Sequence, residues 1–402
     1  RSPIPDHQTQ IHPMPDQRQI LLTPGPVAVP PEVLEEMAKP IIHHRTKAFQ
    51  AIFSELCSQL QNVFHTQHPV MPITGSGTTA YEAAQLCLVK PGSKVLTVAA
   101  GKFGERWQDV YDAYAPFLNL EQVKIDHDWG TGVPLDQVEQ ALQDNPDISV
   151  VTVVHSETST ATRSDVQAIA KLTQGTSAVL IVDGITSVGA FECPMDEWGI
   201  DCLVTGSQKA MMLPPGLGYV GLGEKALARL DEIEHGLPAY NLDLRKWLAS
   251  YKKQDVPFTP PVSLIRGQKV ACDLMLSMGL DEKVRRTKAL AAGSRSAFEA
   301  MGLKLISASP SESVTGAFYP EGVDDAKLRG ALRDNHGIHI AGGQDGRGAK
   351  WKGKIFRISH MGHLDADDTR TGLGAIEHEL NAAGCDIPLG TAVDAFNQAA
   401  GK

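Results

Sequence analysis

Four places in this sequence carry residue types that could do chemistry together: Lys209, Asp183, the turn Gly75-Ser76-Gly77-Thr78-Thr79, and Arg357. Lys209 follows the apolar run Cys202 to Val204 and precedes Met211, Met212, Leu213 and the turn Pro214-Pro215-Gly216. Apolar packing around an amine disfavours its charged form, lowers its pKa and makes it a nucleophile for carbonyl compounds. A lysine that merely snorkels to water is the plainer alternative. Asp183 ends the apolar run Ala178 to Val182, where a carboxylate could face a cation or simply form an Asx turn ahead of Gly184. The turn after Val70 to Thr74 opens a helix, so its backbone amides and the Ser76, Thr78 and Thr79 hydroxyls suit an anion, or only cap the helix. Arg357 offers a planar two-pronged donor for a carboxylate, unless it is an ordinary surface strand arginine.

These groups must be positioned by elements, and the apolar patterning supplies them. Val70–Thr74, Lys94–Ala99, Ile148–Val154, Ala178–Val182, Leu203–Val204 and Tyr219–Leu222 read as strands. Several are nearly continuous apolar runs, as strands buried on both faces should be. Helical spacing lies between them, as over Thr46–Phe64 and Asp165–Leu172. Strand–helix alternation predicts a large α/β domain with a mainly parallel sheet sandwiched by helices. Phe103, Thr158, Asp183 and Lys209 each lie at or just past a strand's carboxyl end, the edge at which open α/β sheets bind ligands. That convergence favours chemistry over the plainer alternatives.

The segment Ile20–Pro31, with four prolines and Gly25, should hold no helix before Glu32. The texture changes near Val256 and Pro257-Phe-Thr-Pro-Pro-Val262, after which a long helical region runs to about Met301. Leu303–Ala308 and Ile338–Ala341 then read as strands, Gly342 to Gly353 as a glycine-rich loop, and Lys354–Ser359 as an alternating strand carrying Arg357. Residues 1–19 are expected to form an N-terminal extension, 20–256 a large α/β domain and 257–402 a smaller C-terminal α+β domain.

The chain of 402 residues is 42% hydrophobic and 21% charged, within the range of globular proteins. Its net charge of −10 argues against nucleic acid or an anionic membrane as partner. No apolar run is long enough for a transmembrane helix. The six cysteines are scattered without metal-type spacing, so they read as reduced thiols of a cytoplasmic protein, and no metal site is expected.

An amine nucleophile, an acid ending a buried strand and an anion cradle fit pyridoxal phosphate, which needs a lysine for its aldehyde, a carboxylate for its ring nitrogen and donors for its phosphate. Facing a cationic ring, Asp183 should have a lowered pKa. The motifs Thr23-Pro-Gly-Pro26, Gly75-Ser-Gly77, Val182-Asp183, Gly206-Ser-Gln-Lys209 with Pro214-Pro-Gly216, Thr259-Pro-Pro-Val262 and Phe356-Arg357-Ile358 extend the pattern over residues 20 to 385. With them the chain resembles the class V, or alanine–glyoxylate aminotransferase-like, branch of fold-type I pyridoxal-phosphate enzymes, above all its bacterial soluble hydrogenase small subunit group. The resemblance implies Lys209 as the Schiff-base lysine and Asp183 as the partner of the pyridine nitrogen. It implies Ser76, Gly77, Thr78 and Gln208 at the phosphate, Phe103 and Ile185 on the two ring faces and Thr158 at the ring hydroxyl. Gly25 and Arg357 would meet the substrate carboxylate. Mammalian alanine–glyoxylate enzymes carry Trp, His and Tyr where this chain has Phe103, Thr78 and Arg266, which leaves the substrate pocket and the neighbour's phosphate contact open.

The implied activity is ping-pong transamination between a small amino acid, alanine or serine, and a keto acid, glyoxylate first. The implied assembly is a homodimer with active sites at the interface, the neighbour reaching the phosphate from near Thr259–Gln268. Arg45, Arg266 or Arg347 could bind a second carboxylate and admit an acidic donor. Two other functions compete: a lyase of the same superfamily, which needs a loop cysteine that residues 341–356 lack, and a non-catalytic partner subunit of a redox complex.

Overall fold

The computed structural model describes residues 19–233 and 236–401. The expected N-terminal extension, apart from Gln19, lies outside the described residues. The fold is α/β, with a seven-stranded, mostly parallel central sheet.

Strand β1 (Ile20–Leu21) precedes helices α1 (Pro31–Ala38) and α2 (Lys47–Phe64). Helix α1 begins one residue earlier than the proline argument allowed, because Pro31 occupies the first turn, where the missing amide costs nothing. The sheet is then built from β2 (Val70–Gly75), β3 (Lys94–Ala99), β4 (Glu121–Asp126), β5 (Ile148–Val154), β8 (Val179–Asp183), β9 (Cys202–Gly206) and β10 (Gly216–Leu222), in the spatial order β2-β10-β9-β8-β5-β3-β4. A short hairpin, β6 (Ser156–Glu157) with β7 (Thr162–Arg163), sits at the end of β5. Only β10 runs antiparallel to its neighbours, so β2, β3, β5, β8 and β9 all end at one edge.

Helices α3 (Gly77–Leu88), α4 (Lys102–Leu118), α5 (Leu135–Asp144) and α6 (Val166–Gln174) return the chain between strands, followed by α7 (Met195–Trp198), α8 (Glu224–Glu232) and α9 (Leu244–Tyr251). Strand β8 shows why the sheet needs helices on both sides. Leu180 and Val182 enter the core with α2, α5, α6 and residues Val262–Met278, while Val179 and Ile181 enter the core with α3, α4, α8 and α9.

The long helical region beyond Val256 is two helices, α10 (Val262–Met278) and α11 (Leu280–Ala300), broken at Gly279, whose φ of 87° suits glycine. A second, three-stranded antiparallel sheet comes next, ordered β11 (Val314–Phe318), β14 (Ile355–Ser359), β13 (Ala341–Gly342). Between its strands lie α12 (Asp325–His336) and β12 (Ile338–His339), and α13 (Ala366–Ala382) and α14 (Thr391–Ala399) close the chain.

Two strand expectations change here. Leu303–Ala308 is not a strand: Leu305 bridges Ala317 singly, and the chain then peels away so that the Ala308 amide bonds to the Gly130 carbonyl. Ile338–Ala341 is two short strands with different partners, β12 pairing with β1 and β13 with β14. No described helix is long and apolar enough to cross a membrane.

Candidate active site

The carboxyl edge of the main sheet gathers most of the expected residues around one cavity, lined by Gly77, Thr78, Phe103, Thr158, Asp183, Ile185, Gln208 and Lys209 among others. Ser76 caps helix α3: its hydroxyl accepts the Thr79 amide at 3.3 Å, and the Thr79 hydroxyl accepts the Ser76 amide at 3.1 Å. Those hydroxyls are therefore engaged with each other. The amides of Gly77 and Thr78, in the first turn, have no intrahelical acceptor, and the positive end of the helix they form lines the cavity and suits an anion.

Gly77 is required for closeness rather than for backbone freedom. A Cβ there would stand 2.8 Å from Ile185 Cδ1. We expect Gly77→Ala to push Ile185 into the cavity and weaken cofactor affinity about tenfold, in line with overpacking costs of roughly 1–3 kcal/mol. Titration of the apoprotein with cofactor measures this, and an unchanged dissociation constant would exclude the tight cradle.

The Lys209 turn is tied by Ser207, whose hydroxyl donates to the Pro214 carbonyl at 2.8 Å and accepts the Leu217 amide at 3.2 Å. Ala210, Met211 and Leu213 are fully buried behind it. The lysine as a residue is partly exposed, but its amine turns inward and donates to the Pro24 carbonyl. Burial, then the nearby Arg357 and Arg106 cations, outweighs the opposing pull of Asp183 and lowers the amine to about 8. Gly25 lies against this amine so closely that any Cβ would overlap Nζ.

Asp183 is buried at the end of β8. Its carboxylate accepts the Ile185 amide at 2.8 Å and the Trp107 indole N–H at 2.7 Å. Tyr81 stacks on Trp107 with centroids 3.8 Å apart and so holds the indole in place. Burial raises the Asp183 carboxyl to about 7 despite the Ile185 and Trp107 hydrogen bonds, with Glu157 adding to the rise and Lys209 opposing it. The lowered value expected from the sequence applies only against a cationic ring, and the chain's own groups do not supply that balance.

Thr158 shares a hydrogen bond of 3.0 Å with Thr186, and its carbonyl accepts Arg357 Nη1 at 2.7 Å. Arg357 also donates to the Gly342 carbonyl from Nη2 at 2.6 Å. It is only 4% exposed, yet among the described residues it pairs with no carboxylate. Burial lowers the guanidinium to about 10. A buried cation held by neutral carbonyls is ready for an anionic ligand.

Three neighbours escaped the sequence reading. Trp107 fixes Asp183. Arg106 lines the cavity and lies 4.8 Å from the Phe103 ring centroid. Glu157, fully buried, accepts the Phe103 and Gly104 amides at 3.1 and 3.0 Å and so caps α4 from the β6–β7 hairpin. Only Arg106 had a usable signal, its three-residue spacing from Phe103 at the start of a helix. The three arginines considered for a second carboxylate are taken: Arg45 by Asp255 at 2.8 Å, Arg266 by Glu36 at 2.6 Å and Arg347 by Asp109.

A family model for class V aminotransferases matches residues 21–365. The chain is 34% identical to the L-aspartate–glyoxylate aminotransferase of Paracoccus denitrificans, over 94% of this chain and 95% of that one. It is 33% identical to the serine–glyoxylate aminotransferase of Hyphomicrobium methylovorum, over 93% of each. The solved alanine–glyoxylate aminotransferase from Nostoc superposes with a TM-score of 0.86 at 28% identity, covering 94% of this chain and 100% of that one.

Proposed function

The chain belongs to the class V aminotransferase family and is a pyridoxal-phosphate-dependent aminotransferase; from that premise we propose that it moves the amino group of alanine or serine to a keto acid, glyoxylate first, by a ping-pong mechanism. The cofactor fits what the site offers: Gly77 leaves room where a side chain would intrude, and the Gln208 side chain, whose buried Oε1 has no partner among the described residues, would present its amide NH2 to a phosphate. Ser76, Gly77, Thr78 and Gln208 would hold the phosphate, Asp183 the ring nitrogen and Thr158 the ring hydroxyl, with Phe103 and Ile185 against the ring faces. When bound, the cofactor supplies an electron sink that stabilises negative charge at the substrate's Cα.

The chain does the rest. Lys209 Nζ, uncharged in part near neutrality, takes the proton leaving Cα and returns one in the reverse half-reaction. Asp183 is positioned by Trp107 and Ile185; a cationic ring nitrogen would hold it ionised, and in this dry setting that charge would act strongly. Arg357 and Gly25 orient the substrate carboxylate. The single observation behind a monocarboxylic donor is Arg357, buried without a carboxylate partner while Arg45, Arg266 and Arg347 are each bound to an acid. A second reading, an acidic donor, draws support from Arg106, which faces the same cavity and has no acid partner among the described residues.

We also infer that the working unit is a homodimer, whose neighbour approaches from the segment near Thr259–Gln268, where Thr259 is exposed. A half-reaction screen decides the donor: purified holoenzyme is mixed with single amino acids while the visible cofactor absorbance is followed. Alanine or serine should change the spectrum without any keto acid present. A response to aspartate or glutamate alone selects the Arg106 reading, and no response to any amino acid before a keto acid is added overturns ping-pong transfer.

A further inference from the structure

Far from that cavity in sequence terms, α12 and α13 bring together three side chains suited to a metal ion. His336 closes α12, and His378 and Glu379 lie in the last turns of α13. One potential ligand atom from each lies within 4.8 Å of the others. His336 Nε2 is 2.7 Å from Glu379 Oε1, and the two imidazole rings stand 5.6 Å apart at 74°.

A simple histidine–carboxylate pair would account for His336 and Glu379 but not for the third group. Glu379 is nearly buried, and its Oε1 already takes both the Asn335 amide and His336, while no contact among the described residues engages Oε2. His378 is exposed, and its ring meets only that of His336 among the described residues. Glu379 is thus a preplaced carboxylate with a spare oxygen, with one imidazole already bonded to its Oε1 and a second, exposed one beside it.

We propose that His336, His378 and Glu379 form a binding site for a zinc-type divalent cation, with water completing the shell. Two imidazoles and one carboxylate are a donor set that zinc uses, at nitrogen and oxygen distances of about 2.0–2.2 Å. Bringing the ligand atoms, all within 4.8 Å of one another, to tetrahedral spacing takes side-chain rotation of the exposed His378 and release of the His336–Glu379 hydrogen bond, whose proton the ion would displace. The same set disfavours magnesium and calcium, which prefer all-oxygen shells. The ion would clamp the end of α12 to α13. Gly337 and β12 come directly after, and β12 pairs with β1.

The test uses chelator-treated holoenzyme. Equilibrium dialysis against Zn2+ should show one site per chain that is lost in His378→Asn and in His336→Asn. Zn2+ should also raise the melting temperature of the wild type and leave that of His378→Asn unmoved, because only ligands that bind the native state stabilise it. Mg2+ at the same concentration should do neither. His378 is exposed, so its variant should fold and keep wild-type aminotransferase activity. Undiminished zinc stoichiometry in both variants, an equal effect of Mg2+, or no zinc bound by the wild type would each overturn the proposal.

Discussion

Lys209→Ala should abolish transamination, with a loss on the order of 10³-fold or more in turnover, because it removes both the group that anchors the cofactor and the base at Cα. Borohydride should fix cofactor covalently to the wild type and not to this variant. The pH dependence stems from the lowered amine. At pH 7.5 a pKa of about 8 leaves roughly a quarter of the amine uncharged, about two hundred times more than an ordinary lysine would have. The lowered pKa means the reactive form grows as pH rises and levels off above about 8. The rate at which apoprotein captures added cofactor should therefore climb through that range and then flatten. Substantial turnover in Lys209→Ala, or a capture rate still rising steeply at pH 10, would defeat this account of the lysine.

Arg357→Ala is the second large effect. Removing one partner from a desolvated charge pair costs about 3–5 kcal/mol, so kcat/KM for the amino donor should fall roughly 10²–10⁴-fold. The loss should fall on donor binding, with the visible spectrum of bound cofactor kept. Arg357→Lys preserves charge but not the two-pronged geometry, and should recover only part of the loss. The hydrogen bonds to the Thr158 and Gly342 carbonyls give Arg357 a structural duty as well. Comparison of the two variants separates the roles. If kcat/KM stays within a few-fold in Arg357→Ala, the substrate carboxylate is held elsewhere, and Arg106 becomes the first place to look.

Legibility tracked burial. Strands β5 and β8 are buried on both faces, so their apolar runs stood out and marked Thr158 and Asp183 near their carboxyl ends. Strand β4 lies at the sheet edge, with exposed and half-buried positions over most of its length, and the run Glu121–Asp126 carried no such signature. Leu303–Ala308 looked like a strand because Leu303 and Ile306 are buried, but burial does not require a ladder partner.

What the sequence determined by itself was the α/β architecture, the family and its cofactor, because these rest on local patterns: strand runs, a lysine in an apolar turn, an acid at a strand end, glycines where the backbone must approach. Tertiary structure alone decided the environment of each group. Trp107 reaches Asp183 across 76 residues, Arg357 reaches Thr158 across 199, and Glu379 meets His336 across 43. It also committed Arg45, Arg266 and Arg347 to acids while leaving Arg106 facing the cavity. Desolvation and charge pairing act over a few ångströms of space, and no spacing along the chain encodes which distant side chains will share them.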